Sequence, residues 1–208
     1  MIAITDYGAG NIRSVVNILE SFGVDYVLAK NPSTLKKSDG IILPGVGSFG
    51  EAAKDLERSG LKSELISAAK SGKPFLGICL GLQLLFDRSE ESVGAVGLGL
   101  ISGDVTLIKS DGRKIPHIGW TSLENVGGKL LSGTQNGEYF YFVHSYGAHA
   151  KDRSCVSATA LYGESFDACI EKGNIFGCQF HPEKSSAAGR KIVSNFLKIC
   201  GEEIRYEC

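Results

Sequence analysis

A chain of 208 residues with 22 basic and 23 acidic side chains has a formal net charge of −1. This near-neutral balance argues against a nucleic-acid-binding domain, which is usually basic, and against attachment to an anionic membrane surface. The length suffices for one hydrophobic core, and the hydrophobic fraction of 43% indicates a globular protein. We therefore expect a single domain over residues 1–208.

The first 86 residues predict strands that alternate with helices. Short apolar runs indicate strands at residues 2–5, 24–28, 40–43 and 75–78, and helical spacing of apolar residues indicates helices at 12–22, 51–58, 61–71 and 80–86. Asn11 is expected to cap the first helix and Gly23 to end it. Continuously apolar strands separated by helices are typical of a parallel sheet with helices on both faces.

The second half of the chain predicts a different arrangement. Strands are expected at residues 104–109, 139–143, 155–161, 168–172 and 175–180, with few helices between them. Gly173-Asn174 separates the last two and has the composition of a hairpin turn. We therefore expect an antiparallel extension of the sheet, followed by a final helix over residues 187–200.

The six cysteines and the N-terminal residues bear on the compartment. There is no C-x-x-C pair, so neither a zinc ribbon nor a thioredoxin-like motif is expected. The N-terminal residues lack a basic segment followed by a long apolar run, and no stretch approaches the length of a transmembrane helix. We expect no secretory signal, no membrane partner, and free thiols in a reducing cytoplasm.

The pentapeptide Gly77-Ile78-Cys79-Leu80-Gly81 is the thiol version of the Gly-x-Ser-x-Gly nucleophile elbow. A predicted strand precedes it and a predicted helix follows, as a strained strand–turn–helix requires. The start of that helix would favour the Cys79 thiolate. The alternative is a buried structural cysteine between two glycines, and the context favours a nucleophile.

A nucleophilic thiol needs a base, and the base needs an orienting group. His181-Pro182-Glu183 follows a predicted strand, so the His181 and Glu183 side chains are expected on one side, with Glu183 accepting a hydrogen bond from the imidazole. By itself this tripeptide is more typical of a surface turn. The catalytic interpretation is favoured here because a candidate nucleophile, Cys79, lies in the same chain.

Pro44-Gly45-Val46-Gly47 follows the third predicted strand. Sites in open parallel sheets lie beyond the carboxyl ends of the strands, and a glycine-rich segment there can present the backbone N–H groups of an oxyanion hole. A simple tight turn is the alternative.

No cofactor or metal is expected. The segment Gly8-Ala9-Gly10 starts a G-x-G-x-x-G pattern, but the position of the third glycine holds Arg13, and no P-loop sequence occurs. His117, His144 and His149 have no partner at familiar zinc spacing.

Taken together, the Cys79 and His181-Pro182-Glu183 motifs resemble those of the class I (triad) glutamine amidotransferases. Several further segments are similar to those of one group in that class, the glutaminase subunits of imidazole glycerol phosphate synthases. These segments are 6–12, 44–49, 118–120, 141–146 and 181–185. The resemblance spans essentially the whole chain.

The resemblance implies a flavodoxin-like α/β class I glutamine amidotransferase fold, with a central, mostly parallel sheet. It also implies hydrolysis of glutamine through a cysteine thioester. The ammonia would pass through a tunnel to a cyclase subunit of (β/α)8 type, which forms a heterodimer with the glutaminase and completes a step of histidine biosynthesis. The partners would thus be glutamine and the cyclase, with no nucleic acid.

The resemblance also implies roles for individual residues. Cys79 would be the nucleophile, His181 the base and acid, and Glu183 the orienting carboxylate. The oxyanion hole would be formed by Val46 or Gly47 together with Leu80. The substrate would be contacted by Gly45, Gln83, Ser145 and Tyr146, and the cyclase by Asn11, Trp120, Tyr141 and Lys184.

One position departs from the family pattern. The family usually has Gly-Trp-Asn, whereas Thr121 follows Trp120 here. A single hydroxyl cannot replace both functions of an amide, so a paralogous glutaminase that feeds another pathway, such as one acting on nucleotide sugars, stays open. A different Cys-His hydrolase and a catalytically inactive scaffold also stay open, although the intact set of Cys79, His181 and Glu183 argues against the scaffold.

Overall fold

The computed structural model describes residues 1–8, 11–109 and 111–205. Within them a ten-stranded mixed sheet forms the centre of the molecule, and a two-stranded sheet lies beside it. The strands are β1 (Ile2–Thr5), β2 (Tyr26–Ala29), β3 (Gly40–Gly45), β4 (Phe75–Cys79), β5 (Arg88–Ser89), β6 (Gly103–Leu107), β7 (His117–Ser122), β8 (Tyr139–His144), β9 (Tyr146–Ala150), β10 (Val156–Tyr162), β11 (Glu164–Lys172) and β12 (Ile175–Cys178).

The order of the large sheet is β2-β1-β3-β4-β12-β11-β9-β6-β5, with β10 paired to β11. The first five strands in this order, from β2 to β12, are parallel to one another. Strand β11 is antiparallel to each of its partners, β12, β9 and β10. The small sheet pairs β7 with β8. The expected mostly parallel sheet with an antiparallel extension is thus confirmed.

Helices cover both faces of the sheet, as expected. They are α1 (Ile12–Phe22), α2 (Pro32–Lys36), α3 (Phe49–Arg58), α4 (Leu61–Lys70), α5 (Leu80–Leu84) and α6 (Ser186–Ile199), with 3-10 turns at Arg153–Cys155 and Pro182–Lys184. Buried residues of α1 and α6 pack on one face, and those of α3, α4 and α5 pack on the other. Burial of apolar area on both faces stabilises this three-layer arrangement.

Three predictions about helix α1 and strand β3 have different outcomes. Gly23 ends α1 in the left-handed conformation, with φ 66°, as predicted. Asn11 does not cap the helix with its side chain, because its ψ of 64° is not the extended conformation that a side-chain cap requires. Strand β3 does not end before Pro44 but continues to Gly45, which pairs with Cys79. Pro44 is tolerated because the ladder from β1 ends at Ile42.

Helix α2 and strands β5, β7 and β9 were not predicted from the sequence. The Gly173-Asn174 hairpin is confirmed, since Lys172 pairs with Ile175 across it. The turn that starts at Gly8 falls partly outside the described residues, as does Cys208. The other five cysteines are free thiols, and no helix among the described residues has the length and apolar character needed to cross a bilayer.

Candidate active site

Cys79 lies at the sharp turn between β4 and α5. Its backbone has φ 55° and ψ −109°, a strained conformation for a residue with a side chain. A Cβ atom at Gly81 would lie 1.8 Å from the Leu43 carbonyl oxygen, and one at Gly77 would lie 2.5 Å from the Gly81 carbonyl oxygen. The two glycines are therefore required by the packing of the turn, which presents Cys79 beyond the strand end.

A cavity of about 250 Å³ opens beside the Cys79 side chain. Most of the residues that the sequence analysis assigned to the substrate or the oxyanion line it with Cys79, namely Val46, Gly47, Leu80, Gln83, Ser145 and Tyr146. Gly45 is buried behind the wall instead, where a Cβ would lie 2.8 Å from the Tyr7 hydroxyl and 2.9 Å from the Leu80 Cβ.

His181 and Glu183 form a buried pair. His181 Nδ1 lies 2.8 Å from Glu183 Oε1, and each side chain is only 2% exposed. The expected pairing is present, but the local structure is not the end of a strand. Strand β12 ends at Cys178, and residues 182–184 form a 3-10 turn, which brings residues two apart in sequence to the same side.

Three hydrogen bonds hold this turn, and two of them join it to strand β8. The His181 amide donates to the Tyr141 carbonyl at 2.9 Å. The Ser185 hydroxyl donates to the His181 carbonyl at 2.7 Å and accepts from the Tyr141 amide at 3.0 Å. Satisfied buried polar groups of this kind restrict the position of the ring.

The charge state of His181 follows from its neighbours. Burial lowers the pKa of the imidazole, but hydrogen-bonding and charge interactions with Cys79 and Glu183 raise it, with a net result of about 9. His181 Nε2 is buried without a hydrogen bond of ordinary geometry among the described residues, yet Cys79 is close enough to affect the ring. The arrangement therefore favours the protonated, imidazolium form of His181.

Two glutamine side chains connect the cavity wall to the nucleophile. Gln83 Nε2 donates to the Tyr146 carbonyl and to Gln179 Oε1, both at 3.0 Å. Gln179 Nε2 donates to Cys79 Sγ at 3.6 Å. Sequence reasoning missed Gln179, which is fully buried; its only signal was a polar residue inside an apolar strand.

Glu91 is a second residue that the sequence analysis missed. It is the charged residue among those that line the cavity, and its Oε2 accepts a hydrogen bond from the Phe49 amide at 2.6 Å. A carboxylate is a favourable acceptor for a backbone N–H group at the start of a helix such as α3. The site therefore presents a negative charge to any small molecule in the cavity. Nothing near residues 89–97 in the sequence indicated this position.

The residues predicted to contact the partner subunit lie on different elements of the surface. Trp120 is 49% exposed and contacts Tyr141 edge to face, with ring centroids 6.0 Å apart. Lys184 is exposed on the 3-10 turn, and Asn11 is partly buried before α1. Ile118 and Tyr139, at 61% and 59% exposure, add to the apolar area on the outer face of β7 and β8.

Thr121 points away from this outer face. Its hydroxyl oxygen lies 2.9 Å from His117 Nε2 on the inner side of β7, so the departure from the family pattern affects an interior contact. The described residues contain no group of His, Cys, Asp or Glu side chains placed to hold a metal ion.

Comparison with known proteins identifies the group to which the chain belongs. The family model for glutamine amidotransferase class-I matches residues 3–200. "Imidazole glycerol phosphate synthase subunit HisH" of Methanothermobacter thermautotrophicus is 48% identical, over 96% of this chain and 98% of its own. The subunit of the same name from Bacillus subtilis is 43% identical over 98% of both chains.

Solved structures show the same fold. PurLQS from Thermotoga maritima matches with a TM-score of 0.75 and 25% identity over 95% of this chain and 97% of its own. The Trypanosoma brucei CTPS glutaminase domain matches with a TM-score of 0.68 and 18% identity, over 99% of this chain and 96% of that one. The chain belongs to the class-I glutamine amidotransferase family, and its sequence groups it with the HisH subunits of imidazole glycerol phosphate synthase.

Proposed function

We propose that the chain hydrolyses glutamine to glutamate and ammonia as the glutaminase subunit of an imidazole glycerol phosphate synthase in histidine biosynthesis. The observation that carries this proposal is the strained Cys79 turn beside the buried His181–Glu183 pair and a small polar cavity. The names of relatives at 43–48% identity over nearly the whole chain support the pathway.

The first half of the reaction uses Cys79 and His181. The Cys79 thiolate attacks the side-chain amide carbon of glutamine, and the carbonyl oxygen becomes an oxyanion. Collapse of this intermediate breaks the carbon–nitrogen bond as His181 Nε2 gives its proton to the leaving nitrogen, so ammonia and a thioester form. The hydrogen bond that His181 Nδ1 donates to Glu183 Oε1 orients the ring for this transfer.

The second half regenerates the thiolate. Neutral His181 removes a proton from water, which attacks the thioester carbon, and collapse releases glutamate and the Cys79 thiolate. Backbone N–H groups of Leu80 and of Val46 or Gly47 are the proposed oxyanion donors, since these residues surround the cavity beside Cys79. Loss of one such donor costs about 3–4 kcal/mol of transition-state stabilisation.

The cavity suits a free amino acid better than a peptide. Its volume of about 250 Å³ is small, and Glu91 gives it a negative charge that matches an α-ammonium group. Gln83, Ser145 and Tyr146 line the same wall and are the proposed substrate contacts, while Gly45 contributes by allowing the close approach of Tyr7 and Leu80. This favours glutamine over larger amides.

A protein partner is proposed for the outer face of β7 and β8. Contiguous exposed apolar side chains on a protein surface often mark an interface, and Ile118, Trp120 and Tyr139 are all exposed there. The proposed partner is a (β/α)8 cyclase in a heterodimer, with Tyr141, Lys184 and Asn11 at the border of the contact. Ammonia would pass to it through a tunnel.

Because free glutaminase activity would waste glutamine, we expect the isolated chain to be weakly active. Partner binding would complete the oxyanion hole by turning a peptide within residues 44–47, where Gly47 already has φ +105°. A reactive thiol at Cys79 needs a reducing compartment, so we also propose a cytoplasmic location.

The test is glutamate release by the purified chain, alone and with a histidine-pathway cyclase plus its nucleotide ligand, for wild type and Cys79→Ala. Strong stimulation that disappears in the variant is expected. Activity that depends on Cys79 but ignores the cyclase would overturn the pathway and point to another amidotransferase. No Cys79-dependent glutamate under any condition would overturn the glutaminase itself.

A further inference from the structure

A line of interior hydrogen bonds lies between the two sheets, outside the catalytic set. His117 Nδ1 is 3.1 Å from His144 Nε2, and His117 Nε2 is 2.9 Å from Thr121 Oγ1. At the other end, His144 Nδ1 is 2.9 Å from the Tyr146 carbonyl oxygen. Both rings are buried, and each ring nitrogen has a protein partner within 3.1 Å.

The carbonyl at one end determines where every proton lies. A carbonyl oxygen only accepts, so His144 Nδ1 must carry the proton, and in a neutral ring Nε2 then accepts. His117 must therefore donate from Nδ1 and accept at Nε2, which makes the Thr121 hydroxyl a donor. All three groups thus donate in one direction, toward Tyr146.

Both rings are neutral near pH 7, as this assignment requires. Burial, with a smaller contribution from the Arg113 guanidinium, lowers the pKa of His117 to about 4. Burial also lowers the pKa of His144 to about 3, with smaller contributions from the Tyr146 carbonyl, which raises it, and from His117 and His181, which lower it.

Aromatic packing fixes the planes of the two rings. His117 is stacked between Tyr162 and Phe142, with ring centroids 4.0 Å and 5.3 Å away. His144 meets Phe166 edge to face at 4.9 Å. A turned ring would place C–H groups against Tyr146 or Thr121, and a buried unpaired acceptor is costly.

The Tyr146 carbonyl joins this line to the nucleophile. The same oxygen accepts from Gln83 Nε2, whose second N–H donates to Gln179, which in turn donates to Cys79 Sγ. If the Tyr146 carbonyl moved, Gln83 would move with it. Gln179, which donates the hydrogen bond to Cys79 Sγ, would then be displaced as well.

We propose that Thr121, His117 and His144 are positioning residues that hold the Tyr146 carbonyl, and through Gln83 and Gln179 the Cys79 thiolate, in the reactive arrangement. The activity readout of this proposal rests on the proposed function. The reactivity of the thiol and the protonation of the rings can be measured without it.

The kinetic test compares Thr121→Val, which removes the hydroxyl, with Thr121→Ser, which keeps it. The lost hydrogen bond is expected to reduce kcat for glutamine about three- to tenfold with little change in KM, and the serine variant should stay within about twofold of wild type. The rate at which iodoacetamide alkylates Cys79, measured by mass spectrometry of the Cys79 peptide, should also be close to wild type in Thr121→Ser and lower in Thr121→Val. Equal rates in all three proteins would overturn the proposal.

A double-variant cycle tests whether Thr121 acts through Gln179. Gln179→Met removes the donor to Cys79 and approximately keeps the side-chain shape. If both residues act along one line, the Thr121→Val/Gln179→Met double variant should alkylate no more slowly than Gln179→Met alone. Fully multiplicative effects would overturn the connection.

Nitrogen-15 NMR of histidine-labelled wild type tests the protonation directly. Both His117 and His144 should carry their proton on Nδ1, and a proton on Nε2 of either ring would overturn the assignment. If wild type released no glutamate while alkylation and protonation behaved as expected, the glutaminase proposal would fail and the positioning of Cys79 would stand.

Discussion

The molecule contains two buried histidine sites that differ in charge. One site favours a protonated ring, and the other keeps its two rings neutral. His181 lies beside the Glu183 carboxylate and the Cys79 thiol, and its pKa is raised to about 9. His117 and His144 lie among aromatic rings and a carbonyl, and their pKa values are lowered to about 4 and 3. Burial lowers the pKa at all three positions, so the partners of each ring decide the outcome.

The difference separates a reactive histidine from positioning histidines. A ring that exchanges protons with substrate needs an anionic partner that stabilises its charged form. A ring that only transmits a hydrogen bond is best kept neutral, since one protonated nitrogen and one acceptor nitrogen give it a direction. The following predictions test this contrast, from the largest expected effect to the smallest.

Glu183→Gln should give the largest effect. The amide cannot stabilise the imidazolium, and it can present its NH₂ group to Nδ1 and so favour the wrong tautomer, so we expect kcat/KM for glutamine to fall about 10²- to 10⁴-fold. Steady-state kinetics with the cyclase present measure this. Glu203→Gln, at an exposed position, is the matched control and should match wild type. A loss below tenfold for Glu183→Gln would argue that the carboxylate does not orient His181.

Acid should destabilise the protein through His117 and His144. Their pKa values are lower in the folded state than the ordinary value of 6.5, so the unfolded state binds protons first and stability falls as pH drops below about 6.5. Each ring contributes up to about 2 kcal/mol of this loss between pH 6.5 and 5.

Denaturant unfolding of wild type and His117→Phe at several pH values measures this loss. Phenylalanine keeps the stack on Tyr162 and Phe142 but cannot be protonated. The variant should be less stable than wild type near pH 8, and the difference should shrink toward pH 5. A constant difference over that range would contradict the neutral state of His117.

The contribution of the His181 site to stability should depend on pH in the opposite direction. Its folded-state pKa is raised from 6.5 to about 9, so the associated stability is fully present below about pH 6.5 and is lost as pH rises through about 9. Glu183→Gln should therefore destabilise the protein by about 1–2 kcal/mol more at pH 6 than at pH 9.5. Chemical denaturation at both pH values tests this, and a larger effect at the higher pH would refute it.

Arg113→Gln should give the smallest effect. The Arg113 guanidinium lies over the Tyr162 ring, 5.3 Å from its centroid, and lowers the pKa of His117. Its removal should raise that pKa by less than about one pH unit, because the side chain is on the surface and salt screens it. An NMR titration of His117 measures the change, with Lys114→Gln as the neighbouring control. A further decrease of the pKa would contradict the charge interaction.

The parallel half of the fold could be predicted because its strands are continuous apolar runs. Residues 40–43 and 75–78 are buried on both faces, so their composition alone indicates strands. Strand β7 was missed because it mixes His117 and Thr121, which face an interior polar line, with Ile118 and Trp120, which are exposed. This is the reverse of the usual alternation, in which polar residues face water.

The candidate site could be predicted only in part. The Cys79 turn is predictable from local spacing, since the glycines that it needs are two residues away on either side. Gln179 and Glu91 reach the site through contacts across more than 40 positions of sequence, and no local pattern marks such pairings. The His181–Glu183 contact was expected, but the 3-10 turn that produces it depends on hydrogen bonds from β8.

The packing of Gly81 against the Leu43 carbonyl has a consequence for how this protein tolerates random change. In a library that varies every position, selection for soluble protein alone should already return glycine at positions 77 and 81. Position 79 should accept other small residues under that selection and return cysteine only when growth depends on the reaction. Comparing the two selections would therefore separate the residues that shape the turn from the residue that reacts.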